Sequence, residues 1–292
     1  MQKGLTLSAR DLRIFVIIPV YGNWEDTVQC LKALDSQTTR DFQVLVADDG
    51  SPDPPPAVIH EFKLALYRKN RNAGFASNCN RAAKEAIALG ATHLLFLNSD
   101  TSFDTGFMEH WMRRIAEIPD AILSPLIYWS RYPTRLWSSG GKLTIFTAFV
   151  RSRKRFEQVT EVDTVTGCAI LVPVGVWTAL GGFDPKYLMY FEDFDFTLRA
   201  KQKGIPTYVV PDRELRVLHH ISGSFRGGGV WKKHYLMVTS SLIFIRSHYR
   251  GIRKPLCVAL NAAHLAMTAI LSLPELPNAK LLWSAVVRGF SG

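Results

Sequence analysis

Cysteine is scarce in this sequence: four residues among 292, at positions 30, 79, 168 and 257. No two of them form a C-x-x-C pair, which argues against a disulfide framework and against a cysteine-type zinc site. The simplest interpretation is a set of reduced thiols in the cytoplasm. Residues 1–5 also lack a long apolar run, so we expect no secretory signal there.

Acidic residues are outnumbered, with 25 Asp and Glu against 35 Lys and Arg and a formal net charge of +10. This excess favours anionic partners, namely nucleotide phosphates, nucleic acid or an anionic membrane surface, without choosing among them. The basic residues do not form a stripe interleaved with aromatics, and acidic loops would repel a nucleic acid backbone. We therefore expect no nucleic-acid partner.

An uninterrupted apolar run long enough to span a membrane is also missing. The longest apolar stretch covers residues 256–273 and ends before Pro274. Four polar residues interrupt it: Asn261, His264, Thr268 and Ser272. These interruptions weaken the case for a membrane span. The stretch is either a buried structural helix or a helix that lies in a membrane interface, with Arg250, Arg253 and Lys254 just before it.

The first hundred residues alternate between short apolar runs and amphipathic segments. Strands are predicted near residues 14–18, 44–47, 65–67 and 94–97, and helices near 24–34, capped by Asn23, and 76–89. This alternation indicates a parallel sheet with helices on both faces, and such sheets bind ligands beyond the carboxyl ends of their strands. Residues 121–165 are more irregular, a further strand is expected within 165–173, and a helix is expected over 231–248.

Polar residues follow several of these strands. Asp48 and Asp49 come after the second strand, and Asn98, Ser99 and Asp100 after the strand at 94–97. Carboxylates at a strand end can accept hydrogen bonds from a nucleotide base or a ribose, and the helix start at 71–76 suits a phosphate. Asp100 can ligate a hard divalent cation. Each feature alone is equally typical of an ordinary turn or helix cap.

Two later segments could complete a site. Glu192, Asp193 and Asp195 fall in the first turn of a predicted helix, where an ionised carboxylate could act as a general base. Asp195 could instead form a structural pair with Arg199, four residues later. His219 and His220 are neighbours, so at most one of them should face a metal.

The order and spacing of these segments resemble family 2 glycosyltransferases, from about residue 14 to residue 248. The matching segments are 16–21 (VIIPVY), 47–53 (ADDGSPD), 72–76 (NAGFA), 97–100 (LNSD), 166–169 (TGCA), 181–184 (GGFD), 190–195 (YFEDFD) and 198–200 (LRA). Residues 288–290 (RGF) resemble the end of the rhamnosyltransferase-like branch of this family.

The resemblance implies an α/β protein with the GT-A fold, a mixed, mainly parallel nucleotide-binding sheet with flanking helices and a C-terminal helical extension. Residues 1–225 would form the catalytic domain, with a nucleotide-binding part at about 10–120 and an acceptor-binding part at about 121–225. Residues 226–292 would form a helical region and are a candidate for membrane association. The protein would then be cytoplasmic or peripheral on the inner face of the cell membrane.

The implied reaction is the inverting transfer of a sugar, rhamnose or another hexose, in cell-surface polysaccharide synthesis. A UDP- or dTDP-linked donor, a saccharide or lipid-linked saccharide acceptor and bound Mg²⁺ or Mn²⁺ would take part. Asp193 would be the base beside Glu192, and Asp100 and His219 would hold the metal. The donor would contact Pro19, Tyr21, Asp48, Asp49, Asn72, Gly74, Asn98 and Ser99. The acceptor would contact Trp137, Gly167 and Cys168.

The sequence departs from the family pattern at two places. Asn98 replaces the first acid of the metal motif, which leaves fewer charged ligands, and Thr239-Ser240 replaces an Arg-Asn pair. Two alternatives stay open: a sugar-nucleotidyl transferase on the same type of sheet, and a non-catalytic binding protein with this fold. The first βα turn has neither G-x-G-x-x-G nor a P-loop lysine, which argues against the nucleotidyl transferase.

Overall fold

A computed structural model of the protein describes residues 12–143, 155–220, 229–260 and 288. The strands within these ranges are β1 (Ile14–Val20), β2 (Phe42–Asp48), β3 (Leu66–Lys69), β4 (His93–Leu97), β5 (Thr101–Ser102), β6 (Ile122–Pro125), β7 (Ile127–Trp129), β8 (Leu136–Ser138), β9 (Thr160–Glu161), β10 (Ala169–Pro173), β11 (Thr207–Val210) and β12 (Val217–His219). The α-helices are α1 (Trp24–Asp35), α2 (Phe75–Ala88), α3 (Phe107–Glu117), α4 (Val174–Leu180), α5 (Glu192–Gln202) and α6 (Gly229–His248).

Eight strands form the central sheet in the order β3-β2-β1-β4-β10-β6-β11-β9. The first four strands in this order are parallel, as are β6 and β11, whereas β10 runs antiparallel to both of its neighbours. A second sheet has the order β5-β12-β7-β8. The prediction of a mixed, mainly parallel sheet with flanking helices is confirmed.

The central strands are buried on both faces, which explains why β1 is almost wholly apolar. Phe15 and Ile17 pack in one core with the alanine-rich side of α2. Ile14, Val16 and Ile18 point the other way into a second core that includes residues of α1 and α3. Because side chains alternate along the strand, β1 contributes to the hydrophobic cores on both faces of the sheet.

The predicted helices are present, but Asn23 does not cap α1 as the sequence suggested. Its backbone lies in the left-handed region, with φ of 52°, and its side chain makes no capping hydrogen bond. Its carbonyl oxygen instead accepts hydrogen bonds from the N–H and the hydroxyl of Thr27. Asn tolerates this conformation better than most residues, so it forms part of the turn after Gly22.

Helix α6 packs against the loop that precedes α5. The ring of Phe244 contacts that of Phe191, with 5.5 Å between ring centroids, and Ser240 Oγ donates to the carbonyl oxygen of Met189 at 2.8 Å. Residues 253–260 are also helical, and none of the described helices is both long and apolar enough to cross a membrane. The rest of the apolar stretch at 256–273 lies outside the described residues, as do residues 289 and 290 of the predicted tail.

Candidate active site

The carboxyl ends of β1, β2 and β4 lie side by side, because these three strands are parallel neighbours. This edge of the sheet carries the residues that were predicted to contact the donor. Tyr21 is 37% exposed and Asn72 is also exposed, whereas Pro19, Asn98 and Ser99 are half-buried. The predicted donor residues therefore share one rim, and some of them are open to solvent.

Asp48 is directed inward at this rim. It is fully buried, and its Oδ1 accepts a hydrogen bond from the N–H of Ser51 at 2.7 Å, while its Oδ2 accepts one from Tyr67 Oη at 3.1 Å. Ser51 Oγ also accepts a hydrogen bond from the N–H of Gly22 at 2.8 Å. Both oxygens of Asp48 are thus occupied: Oδ1 holds Ser51, which in turn joins the loop after β1, and Oδ2 holds Tyr67 of β3.

Asp49 orders the segment in front of α2. Its two carboxylate oxygens accept hydrogen bonds from the N–H groups of Ala73 and Gly74, each at 2.9 Å. Burial raises the pKa of Asp49, and these two hydrogen bonds only partly offset that rise. Gly74 has φ of +89°, and a β-carbon there would lie 2.6 Å from the carbonyl oxygen of Leu188. Only glycine allows this close approach between α2 and the loop that leads to α5.

Asp100 and His219 meet because β5 and β12 pair antiparallel, with Thr101 opposite His219. His219 Nε2 lies 3.1 Å from Asp100 Oδ1, and both side chains are largely buried. The ring of Trp137 packs edge-on against that of His219 at 4.4 Å between centroids. The side chain of His220 instead bonds to Ser102 and Ser130, which confirms that only one of the two histidines faces this site.

The Asp100–His219 pair fits part of a cation's coordination shell. Two adjacent ligand atoms of an octahedral cation with bonds of about 2.1 Å are roughly 3 Å apart, close to the separation of this nitrogen and oxygen. Within the described ranges there is no cluster of three or more His, Cys, Asp or Glu residues that could hold a metal. A hard cation usually keeps water and substrate phosphates as ligands, so two protein ligands are sufficient.

Asp193 follows a turn whose backbone is strained. Tyr190 and Phe191 have φ values of 70° and 68°, which non-glycine residues rarely adopt. α5 begins immediately afterwards, so Glu192 and Asp193 lie in its first turn as predicted. The N–H of Gly167 donates to Asp193 Oδ2 at 2.7 Å. The N–H of Phe194 donates to Asp193 Oδ1 at 2.8 Å.

The environment separates the acidities of the two neighbouring carboxyl groups. Burial raises the pKa of Asp193 to about 6, although the hydrogen bonds from Gly167 and Phe194 oppose the rise. Burial, followed by the charge of Asp193, raises the pKa of Glu192 well above its ordinary value. Glu192 Oε2 is buried without a hydrogen-bond partner. The hydrogen bonds that Asp193 accepts, and that Glu192 Oε2 lacks, favour Asp193 as the more readily ionised of the two carboxyl groups.

Short contacts join these groups into one site. The N–H of Asn98 donates to the carbonyl oxygen of Cys168 at 2.9 Å, which places the β4 end beside the Gly167–Asp193 hydrogen bond. A β-carbon on Gly167 would lie 3.8 Å from the ring of Phe75, the residue next to the Asp49-bound segment. The Cys168 side chain is buried. Asp49, Asp100 and Asp193 therefore lie around one rim of the sheet.

A contact between α6 and α5, next to the site, was not predicted from the sequence. His248 Nε2 lies 2.7 Å from Asp195 Oδ1, while Arg199 Nε donates to Asp195 Oδ2 at 2.7 Å, which confirms the pair expected at four-residue spacing. Burial alone would raise the pKa of Asp195, but the hydrogen bond from His248 and the charge of Arg199 outweigh it, and the pKa is lowered. No local pattern connects α6 to α5, so only the folded chain reveals this contact.

Residues 15–173 match the family model of glycosyl transferase family 2. The match covers more than half of the 292 residues, and the chain belongs to this family. The resemblance to the rhamnosyltransferase-like branch is also confirmed. The chain is 26% identical over 232 residues to N-acetylglucosaminyl-diphospho-decaprenol L-rhamnosyltransferase of Mycobacterium tuberculosis, an alignment that covers 70% of this chain and 75% of the relative.

Solved glycosyltransferase structures share the fold. Staphylococcus aureus TarS 1–349 in complex with UDP-GlcNAc has a TM-score of 0.61 at 17% identity, covering 96% of this chain and 81% of that chain. GalNAc-T7 with UDP, GalNAc and Mn²⁺ has a TM-score of 0.62 at 16% identity, covering 80% of this chain. This chain spans about half, 48%, of the GalNAc-T7 chain. The GT-A fold expected from the sequence is confirmed.

Proposed function

We propose that this chain is a metal-dependent, inverting glycosyltransferase that moves a sugar from a nucleoside-diphosphate donor to a hydroxyl of a saccharide or lipid-linked saccharide. The observation that carries the proposal is the grouping of Asp49, Asp100 and Asp193 around one rim, joined through Gly167 and the segment in front of α2. Family membership and the shared fold support the reaction class.

The donor side of the site would use the ends of β1, β2 and β4. The exposed Tyr21 and Asn72 are placed to contact the nucleoside, and Asp49 holds the segment in front of α2 in the shape that receives it. Asp48 would act indirectly, because its oxygens already accept hydrogen bonds from Ser51 in the loop and from Tyr67 on β3. Pro19, Gly74, Asn98 and Ser99 complete the proposed donor surface. A solved structure of TarS with UDP-GlcNAc supports a UDP-linked donor, and a dTDP-linked donor is an alternative.

Asp100 and His219 would hold Mg²⁺ or Mn²⁺ together with the donor diphosphate. The bound cation would neutralise the charge that develops on the diphosphate leaving group. Trp137 packs on His219 and keeps its ring in place.

Asp193 would accept the proton of the acceptor hydroxyl while the hydroxyl oxygen bonds to the anomeric carbon and the nucleoside diphosphate leaves. The raised pKa of Asp193, about 6, makes its carboxylate a stronger base than an exposed aspartate while it stays ionised at neutral pH. Burial and the charge of Asp193 raise the pKa of the neighbouring Glu192 well above its ordinary value, which disfavours a second negative charge beside the base. One displacement of this kind inverts the anomeric centre.

The acceptor would enter near Trp137 and Gly167, whereas Cys168, which is buried and whose carbonyl oxygen accepts the N–H of Asn98, would support this part of the site from within. The M. tuberculosis relative is named as a rhamnosyltransferase acting on a diphospho-decaprenol-linked sugar, which supports a lipid-linked acceptor and rhamnose as the first sugar to test. We extend the proposal to a catalytic domain at 1–225, a helical region at 226–292, and a cytoplasmic protein peripheral to the membrane that acts in polysaccharide synthesis.

The direct test incubates the full chain with a panel of UDP- and dTDP-sugars, Mn²⁺ or Mg²⁺, and saccharide or lipid-linked acceptors. Release of nucleoside diphosphate is the expected result, whereas pyrophosphate would identify a nucleotidyl transferase. Asp100→Ala should abolish release and weaken Mn²⁺ binding followed by electron paramagnetic resonance. Asp35→Asn alters an exposed carboxylate of α1 and is the matched control. No product from any donor, with Mn²⁺ binding equal in both variants, would contradict the proposal.

A further inference from the structure

An apolar stripe lies on the outer side of the helix that follows α6. Ile252, Leu256 and Leu260 are 83%, 41% and 40% exposed. Leu256 and Leu260 are four residues apart on the helix at 253–260 and therefore lie on its same side, and Ile252, in the turn just before this helix, precedes Leu256 by the same spacing. We call these three residues the stripe. Six large hydrophobic residues are exposed in the described part of the chain, and three of the six are in this stripe.

The opposite side of the same helix is already packed. Cys257 is fully buried in a cluster that includes Phe244 and Phe191, and Val258 packs against the same cluster. The helix is therefore fixed to the protein by one face, and its core contacts do not use the stripe. An exposed apolar surface of this kind, next to polar residues, typically marks an interaction site.

The charge around the stripe is of one sign. No Asp or Glu occurs between Glu214 and Glu275, whereas this interval contains eight Lys and Arg residues. Arg250 and Arg253 are exposed and Lys254 is half-buried, all immediately beside the stripe. In the described ranges none of these three forms an ion pair with a carboxylate. A protein partner would have to be both apolar and strongly acidic to match this surface, whereas an anionic bilayer offers both properties at once.

We propose that Ile252, Leu256 and Leu260 insert into the interface of an anionic phospholipid bilayer while Arg250, Arg253 and Lys254 bind lipid phosphates. This inference deepens the proposed function, because a membrane surface is where a lipid-linked acceptor would be found. It nevertheless depends on a binding event that occurs without donor, metal or turnover.

The stripe is also coupled to the base-bearing loop. α6 connects to that loop through Ser240 and Met189 and to α5 through His248 and Asp195. A bilayer that holds the stripe would therefore hold the acceptor side of the site at a fixed distance from the membrane surface.

The test measures binding of the full chain to phosphatidylcholine vesicles with and without phosphatidylglycerol, by sedimentation and by tryptophan fluorescence. We expect binding to the anionic vesicles only, weakened by salt. The double variant Arg253→Gln with Lys254→Gln should bind roughly tenfold or more weakly, because each basic residue near the surface adds attraction. The double variant Ile252→Ser with Leu256→Ser should lose binding at all salt concentrations.

Two controls separate this proposal from its alternatives. Leu89→Ser removes an exposed leucine at the end of α2 and should bind like the parent chain, as should the base variant Asp193→Asn. Failure of the parent chain to bind anionic vesicles would overturn the proposal, and so would equal binding by the Ile252/Leu256 variant. A parent dimer that this variant converts to a monomer would assign the stripe to a second copy. If the parent does not bind and this variant melts at lower temperature, residues 261–292 of the same chain would be the occupant.

Discussion

Replacing Asp193 with Asn removes the proposed proton acceptor while it keeps the size of the side chain. A positioned general base typically contributes about 10²–10⁴ in rate, which corresponds to about 3–5 kcal/mol of the activation barrier. We therefore expect turnover to fall by at least about a hundredfold, with the affinity for the donor nucleotide unchanged. The proposed donor contacts are made by other side chains at the ends of β1, β2 and β4 and in the segment before α2, so this substitution removes none of them.

The same substitution should affect stability much less than activity. The pKa of Asp193 rises from its ordinary 3.8 to about 6 on folding. At pH values above 6 the buried carboxylate therefore costs roughly 3 kcal/mol, and this cost is relieved as the pH falls from 6 to 4. Asn removes the cost. However, Asn can accept only one of the two hydrogen bonds from Gly167 and Phe194, which costs about 1–3 kcal/mol.

These opposing contributions predict a free energy of unfolding at pH 7.5 close to that of the parent chain. They also predict that the gain in stability of the parent between pH 6 and pH 4 is reduced in the variant. Urea unfolding at a series of pH values measures both. In the parent, kcat/KM should fall tenfold for each pH unit below about 6. A variant that keeps more than a tenth of parental turnover, or a parental profile that is flat through pH 6, would refute the role given to Asp193.

Two further substitutions test how the site is supported. Gly74→Ala should destabilise the protein by about 2–4 kcal/mol, because its new β-carbon meets the backbone of Leu188. The control Gly204→Ala, at φ of +72° with open space around it, should cost only about 1 kcal/mol. Equal losses of stability for the two variants in chemical denaturation would contradict the steric argument. His248→Ala should lower the free energy of unfolding by about 1–3 kcal/mol and raise the pKa of Asp195, so that acid unfolding begins at a higher pH. His60→Ala, at an exposed histidine, is its control. An acid transition at the same pH as in the parent chain would show that the His248–Asp195 contact does not stabilise the fold.

The strands and the general location of the site were predictable because they depend on local patterns. Apolar runs that are followed by Asp49 and Asp100 indicate buried parallel strands, and parallel strands bring their carboxyl ends to one edge. The start of α5 was equally clear from its clustered acids. The alternation of side chains along a strand also predicted that at most one of the two histidines faces the site, and the family resemblance indicated His219 as that residue.

Other features depend on the arrangement of distant segments and were not predictable. Asp48 and Asp49 are alike in sequence, yet the pleat and loop turn Asp48 inward and leave Asp49 to bind the segment before α2. The packing of Trp137 on His219 requires the second sheet, whose strands are too short to give a clear pattern. Asn23 failed as a cap because its turn uses a left-handed conformation that its sequence permits but does not dictate.

Helix α6 stabilises a strained turn next to the proposed base. Tyr190 and Phe191 each occupy the left-handed region, at a cost of roughly 1–2 kcal/mol per residue. Such a turn persists only where its surroundings determine it, and α6 supplies those surroundings through Phe244 against Phe191 and Ser240 on the Met189 carbonyl. This strained turn also directs the Asp193 side chain toward the N–H of Gly167. α6 stabilises the turn, and the next helix, which carries Leu256 and Leu260 of the exposed apolar stripe, packs through Cys257 and Val258 on the cluster of Phe191 and Phe244. The proposed base and the proposed membrane contact are therefore connected by direct packing, although the family model ends at residue 173.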